Sequence, residues 1–103
     1  MPQFSSLSHD TEGPIGSDGY LRGMGEEGWQ LCAVCPIARS EAVRMYFVRE
    51  QGVVRYWEYE TVEYWADSFE PEKLADYYNN GWRAVATVHK GPHINCYYVR
   101  EKK

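Results

Sequence analysis

Cys32 and Cys35 stand in a C-x-x-C arrangement, and Cys96, His89 and His93 add three side chains of the kind that hold zinc or carry thiol chemistry. In a redox motif such a pair sits at a helix N-terminus, where the dipole lowers a thiol pKa. Here "WQLCAVC", residues 29–35, reads as a strand stopped by Pro36. Trp29, Leu31, Ala33 and Cys35 then lie on one face, and Gln30, Cys32 and Val34 on the other. Residues three apart on a strand point to opposite sides, so the two sulfurs neither pair nor share a metal unless the strand breaks. A bend at Pro36 would allow a zinc site drawing on Cys96, His89 and His93. The simpler reading makes the cysteines small buried apolar side chains and the two histidines solvated flanks of a hairpin loop, with no metal and no cofactor.

Glu58 and Glu60 share a strand face at a spacing that suits paired acid-base carboxylates, although alternating glutamates are also what the wet face of an antiparallel sheet requires. No phosphate-cradling glycine loop, Gly-x-Ser-x-Gly elbow or His-Glu-x-x-His is present, so no catalytic residue is assigned and the chain reads as a non-enzyme. More unusual is "YWEYETVEYWADSFEPE", residues 56–72, dense in rings and acids without a lysine or arginine. One strand face cannot bury so many rings. With Trp57 and Tyr59 turned toward the helices, Tyr56, Glu58, Glu60 and Tyr64 face the other way, either as a protein-contact surface or beneath a second helix or the N-terminal arm. Arg49 and Arg100, each in a "VRE" strand end, are the alternative site: paired donors to a carboxylate or phosphate, or strand-end groups paired with neighbouring glutamates.

Those residues belong to a chain of 103 residues, which fits one domain. Net charge is −4 and the isoelectric point is near 5.3, so no positive field favours a phosphate backbone and nucleic-acid binding is disfavoured. Aromatic residues make up 16% of the chain, which predicts a core built on large rings. No apolar run approaches a membrane span and no basic, apolar leader opens the chain. With three cysteines, that composition points to a cytoplasmic protein with free thiols.

The elements that must position these groups follow from punctuation. Residues 1–16 hold only Phe4, Leu7 and Ile15 as large apolar groups and read as a mobile arm. Ser17 is a candidate N-cap for a helix carrying Tyr20, Leu21 and Met24, with Gly28 in the left-handed position after it. Strands are expected over 29–35, 43–50 and from Val53 to Trp65. A helix follows from Pro71, with Leu74, Tyr77 and Tyr78 on its apolar face and Gly81 ending it, and two strands run over 82–89 and 94–101. Shifted by 53 positions, Leu21, Gly28, Trp29 and Ala33 fall on Leu74, Gly81, Trp82 and Ala86; shifted by 51, "YFVRE" falls on "YYVRE". The chain from 17 to 103 therefore reads as one α+β domain with copies over 17–50 and 53–103. The expected architecture is a single antiparallel sheet of about five strands, two short helices on one face, and an approximate two-fold between the copies. An exposed sheet edge would permit a homodimer.

"EEGWQLCAV" with "YFVRE", and "NNGWRAVAT" with "YYVRE", resemble the GWEL domain, a domain of unknown function in small bacterial and phage proteins. The resemblance covers most of residues 21–50 and 56–101, with Gln30 and Arg83 where the family has Glu after Trp. The second copy finds its opening strand in "RYWEYETVEYW", the first none upstream of Tyr20. The resemblance implies shape and a bacterial or phage setting, and carries no catalytic residue. Two functions are expected from the whole reading. One is a non-enzymatic protein-binding module, such as a phage-encoded accessory or inhibitor protein, acting through Tyr56, Glu58, Glu60 and Tyr64. The other is a protein that sequesters or senses a nucleotide or carboxylate in a pocket between the copies, through Arg49 and Arg100.

Overall fold

The computed structural model describes residues 3–12 and 18–103; the expected N-cap Ser17 and Ile15 lie outside them. Residues 4–12, expected in a mobile arm, form a strand instead, β1 (Phe4–Glu12). An edge strand with one wet face needs few apolar groups. Leu7 packs on the core, and His9 stacks on Tyr20 with 3.8 Å between ring centroids. On the outer side Asp10 takes the Arg44 guanidinium at 2.8 Å, a hydrogen bond that holds its carboxyl below the usual range. The chain continues as α1 (Asp18–Glu26), β2 (Gln30–Pro36), β3 (Ala42–Glu50), β4 (Tyr56–Trp65), a 3-10 turn (Ala66–Ser68), α2 (Pro71–Asn79), β5 (Arg83–Lys90) and β6 (His93–Lys102).

The six strands make two antiparallel sheets of three, ordered β1-β3-β2 and β4-β6-β5, rather than one sheet of five. Strands β2 and β5 approach each other but are not hydrogen-bonded neighbours. Both sheets have the same connectivity and pairing. Phe4 opposite Glu50 and Glu12 opposite Ala42 correspond, after shifts of 53 and 51, to Trp57 opposite Glu101 and Trp65 opposite His93. The register slip between Leu31 and Ala33, opposite Phe47 and Tyr46, recurs between Ala84 and Ala86, opposite Tyr98 and Tyr97. β1 is thus the opening strand that the sequence pattern did not locate upstream of Tyr20.

The two units do not meet by a two-fold. A two-fold would bring equivalent faces together. Instead β3 turns Val43, Met45 and Phe47 into the core, whereas β6 contributes Tyr97, which occupies the position of the exposed Tyr46. Helix α1 adds Leu21 and Met24 to this core and runs against β4. Helix α2 lies on the opposite face of the second sheet, its Tyr77 ring stacked on Tyr98 at 4.0 Å. Two helices on one face of one sheet is therefore replaced by one helix in the shared core and one outside it. Both faces of β6 are covered, so Asn95, Cys96, Tyr97, Tyr98 and Val99 are all buried.

The Gly-Trp pairs make the same helix exit twice. Gly28 and Gly81 both adopt φ 88°, a left-handed conformation that side chains resist. The Trp29 N–H donates to the Met24 carbonyl at 2.9 Å and the Gly28 N–H to the Gly25 carbonyl at 3.1 Å. Trp82 and Gly81 repeat this toward Tyr77 and Tyr78 at 3.0 and 3.1 Å, so each helix closes in a Schellman motif. Trp29 is buried and Trp82 half-buried.

Candidate functional site

The register slip in β2 rearranges the cysteines. With Cys32 taking up the extra residue, Leu31 and Val34 both enter the core, and Cys32 and Cys35 are both exposed rather than buried. The Cys32 thiol donates to the Tyr46 carbonyl at 3.3 Å, and partial desolvation against the sheet raises its pKa. Cys96 alone is buried, on the β6 face that carries Tyr98, and burial raises its pKa too. Among the described residues no group of three or more His, Cys, Asp and Glu side chains is placed to hold a metal ion. His89 and His93 line one cavity at the β5–β6 turn, away from the two exposed thiols.

Arg49 and Arg100 are not brought to one ligand. Each caps its own Gly-Trp junction. The Arg49 guanidinium lies 4.2 Å from the centre of the Trp29 ring and donates to the Glu27 carbonyl at 3.0 Å. Arg100 lies 4.3 Å from the Trp82 ring, donates to the Asn80 carbonyl at 2.9 Å, and binds Glu58 at 2.6 Å. These contacts satisfy carbonyls left open by the helix ends and add a cation–π contact of about 0.5–1 kcal/mol each. The two arginines line separate hollows, Arg49 with Gly28 and Arg55, Arg100 with Gly81 and Lys102.

Of the four residues expected to face a partner, three are engaged within the chain. Glu58 pairs with Arg100, Glu60 accepts from the Tyr77 hydroxyl at 2.7 Å, and Tyr64 shares a 3.0 Å hydrogen bond with Tyr98 while stacking on Phe69. Helix α2 reaches this strand face at Glu60 and Tyr64, through Tyr77 and Lys73. Glu58 and Glu60 are therefore bound to a guanidinium and a phenol, not poised as a carboxylate pair. Tyr56 remains outside, 46% exposed.

Tyr56 belongs to a surface that the sequence reading missed. Val53 and Val54, where the third strand is expected to begin, instead precede β4 and join the two sheets, with Val54 77% exposed. Phe4, 57% exposed at the start of β1, lies with Val53, Arg49 and Arg55 around one hollow, and Val53, Val54 and Tyr56 surround the adjoining one. The signal in the sequence was a pair of valines directly after the Gln51-Gly52 turn, where connections are ordinarily polar. Comparison with protein-family models, curated proteins and solved structures finds no match for this chain. Among the described residues no helix is long and apolar enough to cross a membrane.

The phenols give the site region a pH signature. Tyr59, Tyr64, Tyr77 and Tyr98 all have pKa values raised above the ordinary value of 10, burial being the first cause in each, and Tyr77 and Tyr98 are raised further by hydrogen bonds to Glu60 and Tyr64. The folded chain thus holds protons that the unfolded chain releases near pH 10. This contribution is whole below pH 10 and is lost as pH rises beyond it. Urea midpoints are expected to be level from pH 7 to 9 and to fall steeply above pH 10, with tyrosinate absorbance appearing as the fold is lost. A midpoint unchanged at pH 11 would contradict the burial of these rings.

Proposed function

We propose that this chain is a small non-enzymatic binding module that engages a protein partner through the connection between its two sheets. The observation that carries the reading is the grouping of Phe4, Val53, Val54 and Tyr56, all exposed, around two adjoining hollows edged by Arg49 and Arg55. Aromatic rings and arginine are the side chains that dominate binding energy at protein interfaces, and exposed aliphatic area beside them adds to the buried contact. An exposed valine pair in a connection adds nothing to the core and is supported as contact area. Of the expected contact residues only Tyr56 stays in the proposed surface. The resemblance to the GWEL domain, and with it an accessory or inhibitor role in a bacterial or phage setting, is part of this proposal.

A photo-reactive residue placed at Val54 tests the reading in cells, with the same residue at Asp67 as the control. The expected result is one cross-linked product of distinct mass from position 54 and none from 67, lost when Tyr56→Asp is added. Cross-linking from both positions alike, or from neither, would reject the surface. A product of twice the chain mass would replace the foreign partner with a second copy of the chain.

A further inference from the structure

Strand β6 opens with His93, Ile94 and Asn95, so His93 and Asn95 share a face. In the pairing with β4, Glu63 stands directly opposite Asn95, on that same face. The His93 Nε2 lies 3.8 Å from the Glu63 carboxylate. Asn95 is 1% exposed, and its Oδ1 has no hydrogen-bond partner among the described residues. His93, Asn95 and Glu63 all line a cavity of about 570 Å³ between the tips of the two hairpins, with Ser40 and Lys90 on its rim. A buried amide oxygen without a donor is costly unless something else meets it. Toward the core the same face carries Tyr97, Val99 and Val88, where an apolar residue would have packed with no such cost.

We propose that Glu63, His93 and Asn95 bind one divalent transition-metal ion of the zinc type. The imidazole nitrogen, the carboxylate oxygen and the amide oxygen supply three ligands from two adjacent strands, and the cavity leaves room for water at a fourth position. The imidazole ligand selects zinc-like ions over magnesium or calcium, which take oxygen alone. The Trp65 ring, 4.3 Å from that of His93, limits the orientations of the imidazole. Lys90 does not oppose the ion with a free charge. Its ammonium donates to the Glu41 main-chain oxygen and lies 3.6 Å from the Glu41 carboxylate. The site is independent of the contact surface around Val54, and either can fail without the other.

Zinc titration, followed by nitrogen NMR of the imidazoles, tests the site in the full chain carrying Cys32→Ser and Cys35→Ser, whose exposed thiols would compete for the ion. Of the three histidines, His9, stacked on Tyr20, is the control outside the cavity, and His89, which lines the same cavity but pairs with Ile94 on the other face of the sheet, is the near control. One equivalent of zinc is expected to shift His93 Nε2 while leaving His9 and His89 in place. Glu63→Gln, at an exposed position, is expected to weaken binding about tenfold or more, and His93→Gln to abolish it. Asn95→Asp places a second carboxylate at the site and is expected to tighten binding at least about fivefold; if that variant unfolds without metal, zinc should restore it. Equal shifts at all three imidazoles, unchanged affinity in Glu63→Gln, or no binding below about 1 mM would overturn the assignment.

Discussion

Gly25→Ala is expected to destabilise the fold by about 3 kcal/mol, lowering the thermal midpoint by roughly 15 °C, although alanine is the better helix former. Gly25 is buried in the last turns of α1, where the helix runs against β4. A Cβ built there would stand 2.8 Å from the carbonyl carbon of Trp57, closer still to its oxygen, and 3.1 Å from the Tyr59 ring. The obstacle is backbone, held by ten paired positions between β4 and β6, and cannot step aside like a flexible side chain. Helix and strand would have to separate, and with them the two halves of the core. Gly23, two residues earlier, meets nothing within 4 Å. Gly23→Ala is therefore expected to stabilise by about 1 kcal/mol, the ordinary helix-propensity gain. Urea denaturation of both variants against the parent measures the contrast. A Gly25→Ala protein as stable as the parent would show that α1 does not lie against β4 as described.

Both glycines carry the same helix-propensity penalty, and nothing in the sequence tells them apart. Local chemistry was legible: Gly28 and Gly81 announced helix exits because cap geometry depends on a few consecutive residues. What the two units do to each other was not. The residue equivalent to Gly25 in α2 is Tyr78, 42% exposed beside Arg83, because no second sheet lies on that helix. Tyr46 and Tyr97 are the same amino acid at the same register position of β3 and β6, yet one is exposed and the other buried. A duplicated pattern states how each unit folds and is silent on which faces meet. The expected single sheet with a two-fold came from assuming that equivalent faces behave alike.

The remaining misreadings have similar local causes. β1 was invisible because a strand with one face in water is held by Leu7, a stacked His9 and its backbone pairing, none of which shows as an apolar run. The slip at Cys32 leaves no mark in the letters, yet it moves both thiols of the C-x-x-C to the outside. At the candidate sites Tyr56 stays exposed, whereas Glu58 is taken by Arg100 and Tyr64 by Tyr98, both of β6, and Glu60 by Tyr77 of α2. Asn95 was passed over although its amide interrupts the run "INCYYV", a polar residue where the strand is otherwise set for burial.

Tyr59→Phe is expected to cost about 2–3 kcal/mol through the loss of one oxygen atom. The Tyr59 hydroxyl, on β4, donates to the Trp29 carbonyl at 2.7 Å and accepts from the Leu31 N–H at 2.7 Å. Both partners lie where α1 hands over to β2, so a single phenol ties the second sheet to the first at the helix exit. β2 is an outer strand of its sheet, and Leu31 is 1% exposed, so no water replaces the lost acceptor. The equivalent position in β1 is Ser6, too short to make such a bridge, and the tie therefore exists only between the units. Phenylalanine keeps the packing and leaves a buried donor and a buried acceptor without partners, the arrangement that costs more than deleting both ends of a hydrogen bond. Amide exchange distinguishes this from a general loss of stability. The Leu31 amide is expected to pass from strong protection to exchange by local opening, while Met45 and Phe47, in the centre of β3, lose only what the global change dictates. If Tyr59→Phe lies within 0.5 kcal/mol of the parent and Leu31 stays protected, the phenol is not the link between the sheets, and the join must rest on apolar packing around Trp29, Val88 and Tyr97 and on the Lys90–Glu41 contact.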